Sequence, residues 1–241
     1  MRTDPFGFPF AGTWPTIAAD GMAEVDRLMV EGYGISLPQM MENAGRALAT
    51  LAWRRFLACG GARRVTILAG SGGNGGGALT AARRLAGWGA DLTVVLAHDR
   101  ASMAPVPAQQ LKILECMGLR PTPTPPGDAD LIVDGLIGHS LQGAPRGRIA
   151  ELIGWANASL TPVLSLDVPS GFDSSTGQAL VPSVQAAATL TLALPKAGLA
   201  DCAATGDLYL ADISVPPDLY RRLVPTLVVG PFEKGDILRL A

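Results

Sequence analysis

The chain has 241 residues, 48% of them hydrophobic and only 17% charged, with a formal net charge of -2. Such a composition excludes general disorder, which needs low hydrophobicity and high charge, and without an apolar run of about 18 residues it excludes a spanning helix. No basic excess advertises nucleic acid or anionic lipid. What remains is one α/β-sized domain over residues 1–241, with 29 glycines and 19 prolines to turn it.

Residues 1–16, with Pro5, Gly7, Pro9 and Pro15, read as an extended arm laid over a neighbour. Met22 to Met29 predicts a short helix that ends at the Gly32/Gly34 break. A longer helix is predicted from Leu37 to Leu57, where Met41, Ala44, Leu48 and Leu51 form one apolar stripe with Asn43 on its flank. The period then changes. Arg64–Gly70, Asp91–Ala97, Asp130–Asp134 and Pro162–Asp167 are short β-branched or apolar runs, predicted as buried strands. Between them, Ala78–Trp88, Val106–Met117 and Ile149–Ala158 read as helices, and Ala187–Leu194 and Asp207–Ile213 as further strands. This alternation predicts a parallel sheet covered on both faces. Cys59, Cys116 and Cys202 lie far apart with no C-x-x-C pair, which predicts small core hydrophobes in a reducing compartment. With no secretory stretch, cytoplasmic residence is expected.

Ligands of such sheets sit beyond the carboxyl ends of the strands. Three unusual loops occupy that position: Gly70–Gly77, Asp134–Gly147 and Asp167–Gly177. In the first, glycines let backbone N–H groups approach a phosphate, while the polar Asn74 has no local structural reason to be there. Gly70, Gly72 and Gly75 fit G-x-G-x-x-G, a weak match amid so many glycines. Asp134 and Asp167 both end strands, and a buried carboxylate must be paired, hydrogen-bonded or metal-bound. Together they form an acid/base or metal constellation. Alternatively each caps its following segment, as Asp173 and Ser174 do in a turn. His139 is either a further acid/base or a solvated loop residue, and Lys196 either reaches a phosphate or snorkels.

Four segments, MMENAGRALA (40–49), GSGGNGGGALTAARRL (70–85), DLIVDGLIGHSL (130–141) and LDVPSGFDSSTG (166–177), resemble in order and spacing the NAD(P)H-hydrate epimerase (YjeF N-terminal domain) family, as do LALPKAGL (192–199) and LADISVPP (210–217). The resemblance covers about residue 17 to the end of the chain. It implies a Rossmann-like three-layer sandwich with a central, mostly parallel sheet, a homodimer, and interconversion of the R and S epimers of NADH and NADPH hydrated at C6 of the nicotinamide ring. It also implies a potassium ion on Asn74, Asp134 and Ser170, an oxygen-only set suited to a hard cation. Substrate-binding positions would be Gly73, Asn74, Gly75, Gly76 and Gly77, then Gly138, His139, Ser140, Leu141, Gln142, Gly143 and Ala144, then Asp167, which is also the candidate acid/base. The family usually reads G-N-N-G-G-D-G where this chain has Gly72 to Ala78, so Gly73 replaces an asparagine and Gly77 an aspartate, and some relatives carry lysine at Gln142. These departures keep two alternatives open: another nucleotide-like or phosphorylated metabolite, or a non-catalytic scaffold. A dehydrogenase using Asp99 on a ribose is the weakest option. Any dehydratase partner is expected on a separate chain.

Overall fold

The computed structural model describes residues 2–12, 14–58, 60, 63–223 and 232–240. Helices α1 (Ala19–Tyr33) and α2 (Leu37–Ala52) come first. Gly32 stays inside α1, and Gly34 ends it with a left-handed backbone, φ 70°. Ser36 then starts α2 with a capping box, its N–H donating to Gln39 Oε1 at 2.8 Å. The predicted 37–57 helix is one continuous rod whose last turn, Trp53–Leu57, widens to a π-helix.

From there β1 (Arg64–Ala69), α3 (Gly73–Gly87), β2 (Asp91–Leu96), α4 (Pro105–Cys116), β3 (Leu131–Gly135), α5 (Gly147–Ala158) and β4 (Val163–Leu166) alternate as predicted. A small hairpin, β5 (Phe172–Asp173) with β6 (Gln178–Ala179), precedes β7 (Ala188–Leu192) and β8 (Asp207–Ala211). Helix α6 (Pro217–Leu223) and strand β9 (Ile237–Arg239) complete the described chain. The sheet runs β2-β1-β3-β4-β7-β8-β9, with every neighbouring pair parallel except β8–β9. Apolar side chains of α2, α3 and α4 pack with β1 and β3 on one face, while α5 covers Leu68, Ile132 and Val163 on the other. The arrangement is a three-layer, Rossmann-like α/β sandwich. Because β1 has β2 on one side and β3 on the other, the chain changes direction between β1 and β3, which opens a crevice at their carboxyl ends.

Three expectations change. The glycine run is not a loop, because α3 begins at Gly73 rather than Ala78. Each helical glycine costs about 1 kcal/mol against alanine, and close packing offsets it. A Cβ on Gly75 would sit 2.0 Å from the Gly70 carbonyl oxygen, and one on Gly76 would sit 2.6 Å from Met41 Sδ. The N-terminal arm folds onto its own chain. Asp4 accepts from the N–H groups of Phe6 and Phe8 at 2.9 and 2.8 Å and from the Tyr209 hydroxyl at 2.8 Å, and Phe8 is buried edge-on against Tyr209. Of the cysteines, Cys116 is exposed at the end of α4, where Leu111 and Leu114 take the core positions, and Cys202 is half-buried. Cys59 lies outside the described residues.

Candidate active site

Asp134 lies near the end of β3 with no exposed surface. Its Oδ1 accepts from Ser170 Oγ at 2.6 Å and from the Leu136 N–H at 3.2 Å. Its Oδ2 accepts from Ser165 Oγ and the Ser170 N–H, both at 2.8 Å. All four donors are neutral. Burial pushes the Asp134 carboxyl above its ordinary range, and these hydrogen bonds oppose the shift without cancelling it. Asn74 Nδ2 is buried without a partner among the described residues.

Asp167 follows β4 on a backbone that few non-glycine residues adopt, φ 68°, closed by the Val168 N–H donating to the Leu166 carbonyl at 2.9 Å. The neighbouring strand β7 ends identically. Ala193 has φ 64°, and the Leu194 N–H reaches the Leu192 carbonyl at 2.7 Å. Both are three-residue γ-turns with positive φ, the rarer and more strained form. The second turn sends Lys196 back beneath the first, where Nζ pairs with Asp167 Oδ1 and donates to the Leu192 carbonyl at 3.0 Å. Neither side chain is exposed beyond 4%.

The second Asp167 oxygen holds His139, accepting the backbone N–H at 3.1 Å and contacting ring Nδ1 at 3.0 Å. The other ring nitrogen, Nε2, stands 3.7 Å from Asp26 Oδ2 of α1. Burial alone would raise the Asp167 carboxyl, but the Lys196 ammonium and the His139 ring overcome it and hold the group far below the usual carboxylate range. For His139, burial opposes the imidazolium, yet the bond to Asp167 and the charges of Asp167 and Asp26 prevail and raise its pKa. Burial raises the Asp26 carboxyl, with His139 opposing.

These groups open onto one cavity of about 290 Å³. Its walls are Met22, Met40, Met41, Leu166, Leu192 and Ile213, and its polar floor holds Asp26, Asn74, His139, Asp167 and Lys196. Of the positions singled out in the sequence, Gly73, Asn74, Gly77, Gly138, His139, Ser140 and Asp167 line this cavity. Gly138 leaves little room for a side chain, since a Cβ there would lie 3.3 Å from both Asn74 Oδ1 and Asp167 Oδ2. Gly75 and Gly76 face backward into packing. Leu141 is half-buried, while Gln142, Gly143 and Ala144 run exposed over the surface, and none of the four lines the cavity. Asp134 and Ser170 sit buried outside its lining, and Asp173 accepts from the Ser175 N–H at 2.9 Å in the turn expected of it. Sequence reasoning missed Asp26 and left Lys196 open. A lone lysine inside the apolar ALPKAGL run was the available signal, because buried lysines are paired.

A glycine-lined helix start and a polar-floored cavity at the switch point define the class: a Rossmann-like α/β protein built for a small, nucleotide-like ligand. Comparison with known proteins narrows this. Residues 37–198 match the family described as YjeF-related protein N-terminus. The chain is 46% identical over 222 residues to the NAD(P)H-hydrate epimerase of Dehalogenimonas lykanthroporepellens, covering 91% of this chain and 90% of that protein. It is 38% identical over 206 residues to the NAD(P)H-hydrate epimerase of Truepera radiovictrix, covering 84% and 92% respectively. It is also 37% identical over 243 residues to the bifunctional NAD(P)H-hydrate repair enzyme Nnr of Hyperthermus butylicus, covering 96% of this chain but 42% of that longer protein. A crystal structure of the yeast protein YNL200c superposes with a TM-score of 0.82 at 24% identity, over 94% of this chain and 100% of that one. The chain belongs to the YjeF-related N-terminal family.

Proposed function

We propose that the protein interconverts the R and S epimers of hydrated NADH and NADPH, a repair reaction on damaged cofactors. The observation that carries this is the cavity itself: apolar walls sized for a ring, with a buried ion pair and a histidine on the floor at the sheet's switch point. Its volume is near the lower end of the roughly 300–1,000 Å³ of small-molecule pockets. The nicotinamide ring fits that space, and the pyrophosphate stays outside at the exposed start of α3, where free N–H groups favour an anion. A cytoplasmic setting is part of this reading. The bifunctional relatives support pairing with a second repair activity, of dehydratase type. The direct test is R/S equilibration of the purified hydrate with the folded protein present. Acceleration over the spontaneous rate is expected, and its absence overturns the proposal.

Potassium belongs to the same proposal. Asp134 is a fully buried carboxylate whose four donors are all neutral, with no cation beside it among the described residues, and Asn74 Oδ1, an acceptor, faces Gly138 in the loop that follows β3. A monovalent ion on Asn74, Asp134 and Ser170 supplies the missing charge, and oxygen ligands suit a hard cation. Bound there, it supplies positive charge that holds the loop after β3 against the PSG turn. Among the described residues no group of three or more His, Cys, Asp or Glu side chains offers a competing metal site. Thermal unfolding in potassium against tetramethylammonium should show stabilisation that grows with concentration and vanishes in Asp134→Asn.

A further inference from the structure

The floor of the cavity separates two jobs that a single carboxylate would otherwise have to share. Asp167 is pinned from three directions, by Lys196 Nζ, by the His139 N–H and by the His139 ring. An ionised carboxylate only accepts hydrogen bonds, so its contact with Nδ1 places a proton there and turns Nε2 outward. Across from Nε2, Asp26 Oδ2 stands at 3.7 Å, close enough for charge attraction and too far for a hydrogen bond. The Nε2 proton is therefore stabilised without being captured. Both side chains line the cavity, with 21% of His139 and 35% of Asp26 exposed.

We propose that His139 is the acid/base of the epimerisation and that Asp26 is a positioning residue that keeps the His139 imidazolium populated and aimed; this rests on the epimerase function proposed above. In the forward stroke, Nε2–H protonates the hydroxyl on C6 of the reduced ring. The C6–O bond breaks with its electron pair going to oxygen, water leaves, and the N1 lone pair forms the N1=C6 bond. Water then adds to C6 on either face, the π pair returns to N1, and the proton shed by the adding oxygen returns to Nε2. Atoms and charge balance over the cycle, and no oxidant or reductant is needed. Asp167 keeps the ring oriented and stays ionised throughout.

The charged and titratable groups facing the ring are Asp26 from α1, Asp167 after β4 and Lys196 after β7. Helices α2 and α3 contribute Met40, Met41 and Asn74 to the wall, none of them titratable. Activity should fall as pH rises through the elevated His139 pKa, because the starting acid is lost.

The test uses the full chain and the purified hydrate in potassium buffer, with His139→Gln and Asp26→Asn checked for folding by thermal unfolding. His139→Gln should lower kcat by on the order of 100-fold or more and abolish the descending pH limb, and imidazole should restore part of the rate to His139→Ala. Asp26→Asn should lower kcat less, leave KM nearly unchanged and move the descending limb to lower pH. A separate NMR titration of the His139 ring should show its pKa falling in Asp26→Asn. If wild type does not accelerate equilibration, the epimerase function fails and this assignment fails with it. If wild type is active and folded His139→Gln keeps its rate and pH profile, only the His139 assignment is overturned. An Asp26→Asn protein with an unmoved pH limb and an unmoved ring pKa overturns the role of Asp26.

Discussion

Asp134, near the end of β3, and Asp167, just after the neighbouring β4, are both removed from solvent, yet their pKa values shift in opposite directions. Asp134 is surrounded by hydroxyls and N–H groups, and burial raises its pKa. Asp167 is also fully hydrogen-bonded, but one of its donors is a lysine, and its pKa is depressed despite equal burial. The number of hydrogen bonds does not distinguish them. A formal positive charge within contact distance does. A buried carboxylate with only neutral donors remains a place for a cation, whereas one already paired becomes a fixed part of the framework.

Removing the charge that separates them should have the largest effect. Lys196→Met leaves Asp167 buried and uncompensated, and breaking a buried pair from one side costs about 3–5 kcal/mol, readable by urea unfolding at neutral pH. A loss below about 1 kcal/mol would mean that the pair is solvated in the native protein.

Acid titration sharpens the contrast further. Asp167 has a lowered folded pKa, so its stabilisation is present above the unfolded value of about 3.9 and is lost as pH falls toward the folded one. Asp134 has a raised folded pKa, so its contribution is greatest at low pH and is lost as pH rises through the folded value. In potassium-free buffer, Asp134→Asn should therefore flatten the stability profile above about pH 4, at a cost of about 1–3 kcal/mol for a donor misplaced among donors. Denaturation midpoints across pH for both proteins decide this. An unchanged slope in the variant would remove Asp134 as the source.

The glycine-rich start of α3 gives a smaller contrast. A Cβ on Gly77 would lie 2.6 Å from Leu166 Cδ2, whereas Gly73 has open space around it. Gly77→Asp should cost about 1–3 kcal/mol through overpacking, and Gly73→Asn should stay within about 0.5 kcal/mol. An aspartate at position 77 therefore needs a shifted Leu166 as well as the substitution. Thermal midpoints of the two single variants, measured together, check the ordering.

The sheet was legible because strand and helix periods alternate without a break, so each run from Arg64 to Leu166 points to one element. The start of α3 was not. Four glycines among residues 73–77 argue locally for a loop, and only their close packing against the Gly70 backbone, Met41 of α2 and Leu166 of β4 favours the helix. Asn74, Asp134 and Asp167 stood out because polar groups at strand ends need a reason. Asp26 did not, since on an amphipathic helix it reads as one more surface charge until α1 is laid across the cavity mouth. Lys196 posed the same problem in reverse, because its partner lies 29 residues earlier and nothing local reveals its burial.

The twin γ-turns limit how this protein can be improved. Each holds a non-glycine residue at positive φ, a strain of about 1–3 kcal/mol. Ala193 carries no functional group, so Ala193→Gly should release part of that strain, a gain below about 1 kcal/mol after glycine's own entropy loss. At Asp167 the same relief would delete the carboxylate that orients His139. Two positions with one geometry therefore evolve under different rules: one is free to drift toward stability, and the other keeps its strain for as long as the chemistry is needed.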